Sequence, residues 1–152
     1  MRVRGVVAYD GAPFHGFAAN RGVSTVASSL DAALSRALKV PVSVTCAGRT
    51  DRGVHAVGQV ISFDAPDEAD LVRLRRSVNR QCRPSVVVTA LERAPDDFDA
   101  RFSAIGRTYR YRILNRPDAD PFTSAMAWHV VAPLDVAAME AAAALLVGLH
   151  DF

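Results

Sequence analysis

The stretch that decides the fold is Pro41-Val-Ser-Val-Thr-Cys-Ala-Gly-Arg-Thr-Asp-Arg-Gly-Val-His-Ala-Val-Gly-Gln-Val-Ile-Ser-Phe-Asp64. Val42, Val44 and Cys46 alternate with Ser43 and Thr45, the two-residue period of a half-buried strand. A glycine-punctuated loop, Gly48 to Ala56, follows, and Val57 to Asp64 reads as another strand. Two strands in direct succession leave the helices to the flanks. Upstream, Arg2 to Asp10 reads as a strand with Val3, Val7 and Tyr9 on one face, broken at Asp10-Gly11-Ala12-Pro13. Ser24 or Thr25 caps a helix running through Lys39, in which Val26, Leu30, Leu34 and Leu38 recur every four residues. Downstream, Asp67 or Asp70 caps a second helix with Leu71, Leu74 and Val78 inward, and Ser85 to Leu91 is a further strand. The order strand, helix, strand, strand, helix, strand is the split βαβ arrangement. It predicts an α+β fold: a ferredoxin-like or RRM-like βαββαβ antiparallel sheet with helices on one face and the other face open to a ligand.

The remainder extends this unit. Thr108 to Leu114 alternates strictly, which predicts a strand with Tyr111 in the core; Ala127 to Val131 predicts a short strand. Asp135 caps a helix to Val147, with Gly148 as its stop.

The 152 residues are half apolar and 22% charged, enough for a real core and unlike a disordered tail. No apolar run approaches the ~18 residues of a membrane span, and no signal-peptide core follows Met1. Cys46 and Cys82 make no disulfide framework, and His15, His55, His129 and His150 have no ligand-type spacing, so no metal is expected. The expected location is cytoplasmic, without membrane association. The net charge is only +2, yet Lys39 is the sole lysine among 18 basic residues, and arginine suits phosphate. Arg73, Arg75, Arg76, Arg80 and Arg83 form one acid-free set; Arg101, Arg107, Arg110, Arg112 and Arg116 form another. Either set can track phosphates or form a solvated face.

In the loop, Asp51 admits two readings. One is an Asx-turn residue paired locally with an arginine. The other is a nucleophile: a carboxylate ionised at neutral pH, held by Arg49 through charge-assisted hydrogen bonds and otherwise unoccupied.

Ala47 to Gln59 resembles a long, specific motif, Ala-Gly-Arg-Thr-Asp-x-Gly-Val-His-x-x-Gly-Gln, of the tRNA pseudouridine synthase A (TruA) family. Tyr9-Asp10-Gly11 with His15-Gly16, Phe98 to Ala104, Arg107 to Ile113, Pro121-Phe122, Leu134-Asp135 and Gly148 to Phe152 are similar to further segments of that family, in order along the chain. The resemblance implies isomerisation of uridine to pseudouridine in the tRNA anticodon stem-loop, with no cofactor and no metal. It implies a catalytic role for Asp51, an ion-pair role for Arg49, and a base-stacking role near C5 for Tyr109. Arg52 and His55 are expected RNA contacts, as are Arg110 and Arg112, which point off one face of the predicted strand; the resemblance implies tRNA as the partner and a homodimer as the assembly. A base must leave its stack before its glycosidic bond is accessible, and an aromatic platform recovers roughly 1–3 kcal/mol of that cost.

The sequence departs from the family at Gly16-Phe17-Ala18-Ala19-Asn20, at Ala27, and at Arg80-Gln81-Cys82-Arg83-Pro84, where polar or proline-rich groups are usual. The family also has a second, similar domain after the segment matching His150 to Phe152. The resemblance therefore predicts that residues 1–152 are the N-terminal, aspartate-bearing domain, inactive alone. The alternative is a non-catalytic RNA-binding module of RRM-like layout. A third is a metabolite-binding regulatory domain, which predicts no salt-dependent RNA binding.

Overall fold

The computed structural model describes residues 1–151. Phe152, the end of the family-like terminal segment, lies outside them. The chain divides into two compact units, Met1–Arg107 and Thr108–Phe152.

The first unit contains β1 (Arg2–Tyr9), α1 (Val26–Leu38), β2 (Thr45–Cys46), β3 (Ala56–Asp64), α2 (Leu71–Cys82) and β4 (Val86–Arg93). The sheet order is β2-β3-β1-β4, and every neighbouring pair is antiparallel. This is the expected α+β arrangement. β1 alternates strictly between half-buried and buried, so Val3, Gly5, Val7 and Tyr9 face the core. They share it with Leu30 and Leu34 of α1 and Leu74 and Val78 of α2. Each fully buried Leu contributes roughly 1.5–3 kcal/mol over leaving it in water.

Local chemistry sets the helix boundaries. Thr25, not Ser24, caps α1: its hydroxyl accepts from the Ser28 amide at 3.2 Å, and Ser28 Oγ accepts from the Thr25 amide at 3.1 Å. Lys39 closes that helix with a left-handed φ of 59°. Asp70 caps α2, accepting from the amides of Val72 and Arg73. Asp67, the other candidate, instead pairs with the terminal amine of Met1 at 2.7 Å, which holds its carboxyl below the ordinary value.

The strand expected over Val42 to Cys46 is shorter, because only Thr45 and Cys46 pair with β3. The amides that would have extended it go to α1 side chains: Val42 N–H donates to Ser35 Oγ and Val44 N–H to Asp31 Oδ1, each at 2.8 Å. Burial raises the Asp31 carboxyl above its ordinary pKa, while the Val44 amide opposes that shift.

The second unit holds β5 (Ile113–Asn115) and β6 (Trp128–Val130), paired in parallel, and α3 (Val136–Ala144). Here the strand expected over Thr108 to Leu114 is corrected. A strand needs a ladder partner, and within this unit pairing with β6 begins only at Ile113. Tyr111 is consequently 91% exposed rather than a core residue. Asp135 caps α3 by accepting from the Ala138 amide. The helix ends at Ala144 rather than Val147. The amides of Leu145, Leu146 and Val147 bond carbonyls three residues back, the tighter 3₁₀ pattern, before Gly148 turns the chain at φ 125°.

Candidate active site

The loop between β2 and β3 is held at both ends and in the middle. At its root, the Ala47 amide donates to the Val60 carbonyl at 2.9 Å. The Ala47 carbonyl accepts two bonds from Arg107, from Nε at 2.9 Å and Nη2 at 2.5 Å. The Gln59 side-chain amide brackets Gly48, accepting from its N–H and donating to its carbonyl. Further along, the Thr50 carbonyl accepts from the Phe17 amide at 2.9 Å, and Thr50 Oγ1 lies 2.8 Å from the Tyr9 hydroxyl. The Val54 amide donates to the Asp51 carbonyl at 3.2 Å, making a tight turn with Asp51 at its start.

Two glycines let the segment after β1 approach this turn. A Cβ on Gly11 would sit 2.1 Å from the Val54 carbonyl oxygen. Gly16, at φ 90°, would place one 2.8 Å from the Thr50 oxygen. Backbone contact this close is possible only without a side chain. The Phe17 ring beneath packs on Tyr9, with centroids 5.9 Å apart. Phe17, where the sequence departs from the family pattern, is thus a buried support whose amide orders the loop.

The Asp51 side chain projects from this clamped backbone into solvent. Among the described residues no cation lies within ion-pair distance of it, so the expected Arg49–Asp51 pair is not formed here. Arg49 is exposed, and its charge, with that of Arg101, reaches the Cys46 thiol, opposing the upward shift that burial imposes there. Arg52 is exposed beside Asp51. His55, expected as an RNA contact, is half-buried and works as a brace. Its Nδ1 lies 3.2 Å from the Gly11 amide and 3.0 Å from Asp10 Oδ1. Asp10 is fixed in turn by the Ala12 amide.

Arg101 and Phe102 stand next to this region in sequence-distant company. The Ala100 amide donates to the buried Ser62 hydroxyl of β3 at 3.0 Å, seating the segment on the open sheet face. Asp99 accepts from the amides of Arg101 and Phe102, and the Arg101 guanidinium lies 5.4 Å from the exposed Phe102 ring. Tyr109, Arg110 and Arg112 belong to the second unit, on the segment preceding β5. All three are exposed, Tyr109 by 63%. The structure therefore gathers Arg49, Asp51, Arg52 and His55 in one loop, and carries the other three separately. From the sequence, Arg107 stood in a basic set, Tyr9 on a strand face and Gln59 in the family-like motif, but none was read as a brace of the loop. Gln59 had a usable signal, since it follows the loop on a strand antiparallel to the one that enters it. Arg107, 60 residues from its acceptor, had none.

The profile of the tRNA pseudouridine synthase family matches residues 6–103, which include the whole Asp51 loop and all its supports but Arg107. The chain belongs to the tRNA pseudouridine synthase family. It is 47% identical over 156 aligned residues to a tRNA pseudouridine synthase A of Frankia casuarinae, covering all of this chain and 56% of that protein. It is 45% identical to the tRNA pseudouridine synthase A of Methylobacterium radiotolerans, over 99% of this chain and 60% of the relative. A third such synthase, from Dechloromonas aromatica, is 44% identical over the full chain and 58% of its own length. The chain thus spans about three-fifths of these curated relatives. Among the described residues of this pseudouridine synthase family member, no helix is long and apolar enough to cross a membrane. No three His, Cys, Asp or Glu side chains are grouped to hold a metal ion.

Proposed function

We propose that this chain carries the nucleophile of a tRNA pseudouridine synthase, with Asp51 attacking a uridine that has been extruded from the anticodon stem-loop. The observation that supports it most is the loop geometry. Asp51 stands on backbone fixed by Phe17, Arg107 and Gln59, while its carboxylate is exposed. Such a group meets an incoming electrophilic carbon with little reorganisation. The reaction balances without a co-reactant: the bond from ribose C1′ to uracil N1 breaks, one from C1′ to C5 forms, the C5 proton leaves and N1 gains one. Arg49 and Arg52 flank the carboxylate and supply positive charge where phosphates of the extruded nucleotide would approach. Tyr109 is the stacking platform for the extruded base, and Arg110 and Arg112 add phosphate contacts from the second unit. We read the full activity as that of the whole-length relatives, of which this chain spans about three-fifths, exerted as a cytoplasmic homodimer.

The test uses tRNA carrying tritium at uridine C5, since the reaction must expel that hydrogen. The chain is assayed alone and fused to the part of the Methylobacterium radiotolerans relative that it does not match. Release by either form that falls at least ~10³-fold in Asp51→Asn supports the proposal. Release that survives Asp51→Asn refutes it. No release from a folded fusion that still binds tRNA also refutes it and leaves an RNA-binding module.

A further inference from the structure

The outer face of the helix layer carries a feature that the catalytic loop does not explain. Arg73, Arg76 and Arg80 lie three and four residues apart on α2, so they share one face, and Arg83 follows at its C-cap. All four are exposed, and among the described residues none is in an ion pair. Arg36 of α1 lines a cleft of about 460 Å³ together with Gln81 and Cys82, at the C-terminal end of α2.

The carboxylates on these elements are committed elsewhere. Asp31 accepts from the Val44 amide, and Asp70 from the amides of Val72 and Arg73. Helix stability accounts for Arg80, in the last turn where the dipole favours a cation, but not for the whole stripe. Arg73 sits in the first turn, where the helix dipole disfavours a cation, and no acidic residue lies in that turn. Arg75 is different, because it donates to the Thr89 carbonyl and is tied to the sheet.

The stripe leads toward the candidate active site. Ser85, two residues past Arg83, accepts through its carbonyl from the Asp10 amide at 2.9 Å, and the Asp10 carboxylate touches His55 of the Asp51 loop. Arg83 and that loop therefore share one end of the first unit. Arg73 to Arg80 span about 10 Å of helix, enough to meet two or three successive phosphates of one strand.

We propose that Arg73, Arg76, Arg80 and Arg83 form a phosphate-tracking surface for the sugar–phosphate backbone of the same tRNA whose uridine reaches Asp51. This rests on the tRNA reading above. The surface is sequence-independent: it holds the body of the substrate by charge and leaves base choice to the Asp51 loop.

The test measures binding of the unmodified tRNA transcript by the full chain across a salt series. Two single charge reversals are compared: Arg80→Glu on the stripe and Arg93→Glu at the opposite end of β4. Both alter net charge equally. Arg80→Glu is expected to weaken binding about tenfold at ~0.1 M salt and to flatten the log–log salt slope by about 1, with Arg93→Glu changing affinity less than about twofold. Arg73→Gln/Arg76→Gln/Arg80→Gln is expected to flatten the slope by about 2–3 while its melting temperature stays near the parent's. Equal effects of Arg80→Glu and Arg93→Glu would mean bulk charge only and overturn the proposal. So would unchanged binding by the triple variant, or a stripe that instead alters the oligomeric state without altering tRNA affinity. Failure of the parent chain to bind tRNA at all would fall on the tRNA reading itself and take this proposal with it.

Discussion

Replacing Gly11 with alanine adds one carbon where the Val54 carbonyl group already is. The new Cβ would lie 2.1 Å from the Val54 oxygen, 2.5 Å from its carbonyl carbon and 2.9 Å from the Gly53 carbonyl carbon. These are backbone atoms, so no rotamer change relieves the clash. Restoring ordinary contact of about 3.5 Å requires a relative shift of more than ~1 Å between the Gly11 turn and residues 53–54. Overpacking of this kind costs roughly 1–3 kcal/mol. The shift also pulls on the Val54 amide, which donates to the Asp51 carbonyl, and on His55, which braces the Gly11 amide. A displacement of about 1 Å in a catalytic group costs on the order of 10²-fold in rate. Gly58→Ala is the control, since a Cβ there meets nothing within 4 Å. Urea denaturation gives the stability change, and tritium release gives the rate. A Gly11→Ala protein within ~0.5 kcal/mol of the parent and within about twofold of its rate would refute the claim that close backbone approach at Gly11 positions Asp51.

Two other substitutions follow from particular contacts. Asp31→Asn keeps an acceptor for the Val44 amide and removes a carboxylate whose pKa burial raises. A raised folded pKa means the parent loses stability as pH climbs from the ordinary 3.8 through the folded value. The variant should therefore melt about 1–2 °C higher at pH 7, a small figure because the group is half-solvated, with the gain vanishing in acid; a lower melting point at pH 7 would contradict this. Arg107→Met removes both bonds to the Ala47 carbonyl. Amide hydrogen exchange across residues 46–52 should quicken about tenfold, with exchange in α2 unchanged, and equal rates in the loop would show that Arg107 does not brace it.

The elements legible in the sequence were those whose burial repeats locally. Val26, Leu30 and Leu34 mark a helix face at a spacing no other structure would use, and Val3 and Val7 do the same for β1. The errors arose where a backbone group found a distant partner or lacked a near one. Val42 and Val44 alternate like strand residues, yet Ser35 and Asp31 of α1 take their amides. Tyr109 and Tyr111 alternate just as well, but the ladder in their unit begins at Ile113. At the site, Arg49 and Asp51 are two residues apart, and adjacency suggested a pair. The clamped turn instead directs the carboxylate into solvent and leaves the arginine's charge toward Cys46.

The sequence by itself determined the order of elements in the first unit, the neighbourhood of each helix start and the loop that holds Asp51, because periodicity, capping and turn chemistry act over a few residues; which of two candidates caps each of the first two helices was settled only by the structure. The sequence also carried the family, in a motif long enough to be specific. Only the tertiary structure decided how that loop is held: Phe17 on Thr50, Gly11 under Val54, Arg107 on Ala47. The arginines of α2 were already one set in the sequence; the structure alone joined the strand that follows them to the Asp10 turn, through the Asp10 amide and the Ser85 carbonyl. These contacts join residues tens of positions apart, and only chain folding, not local spacing, brings their atoms within hydrogen-bond reach.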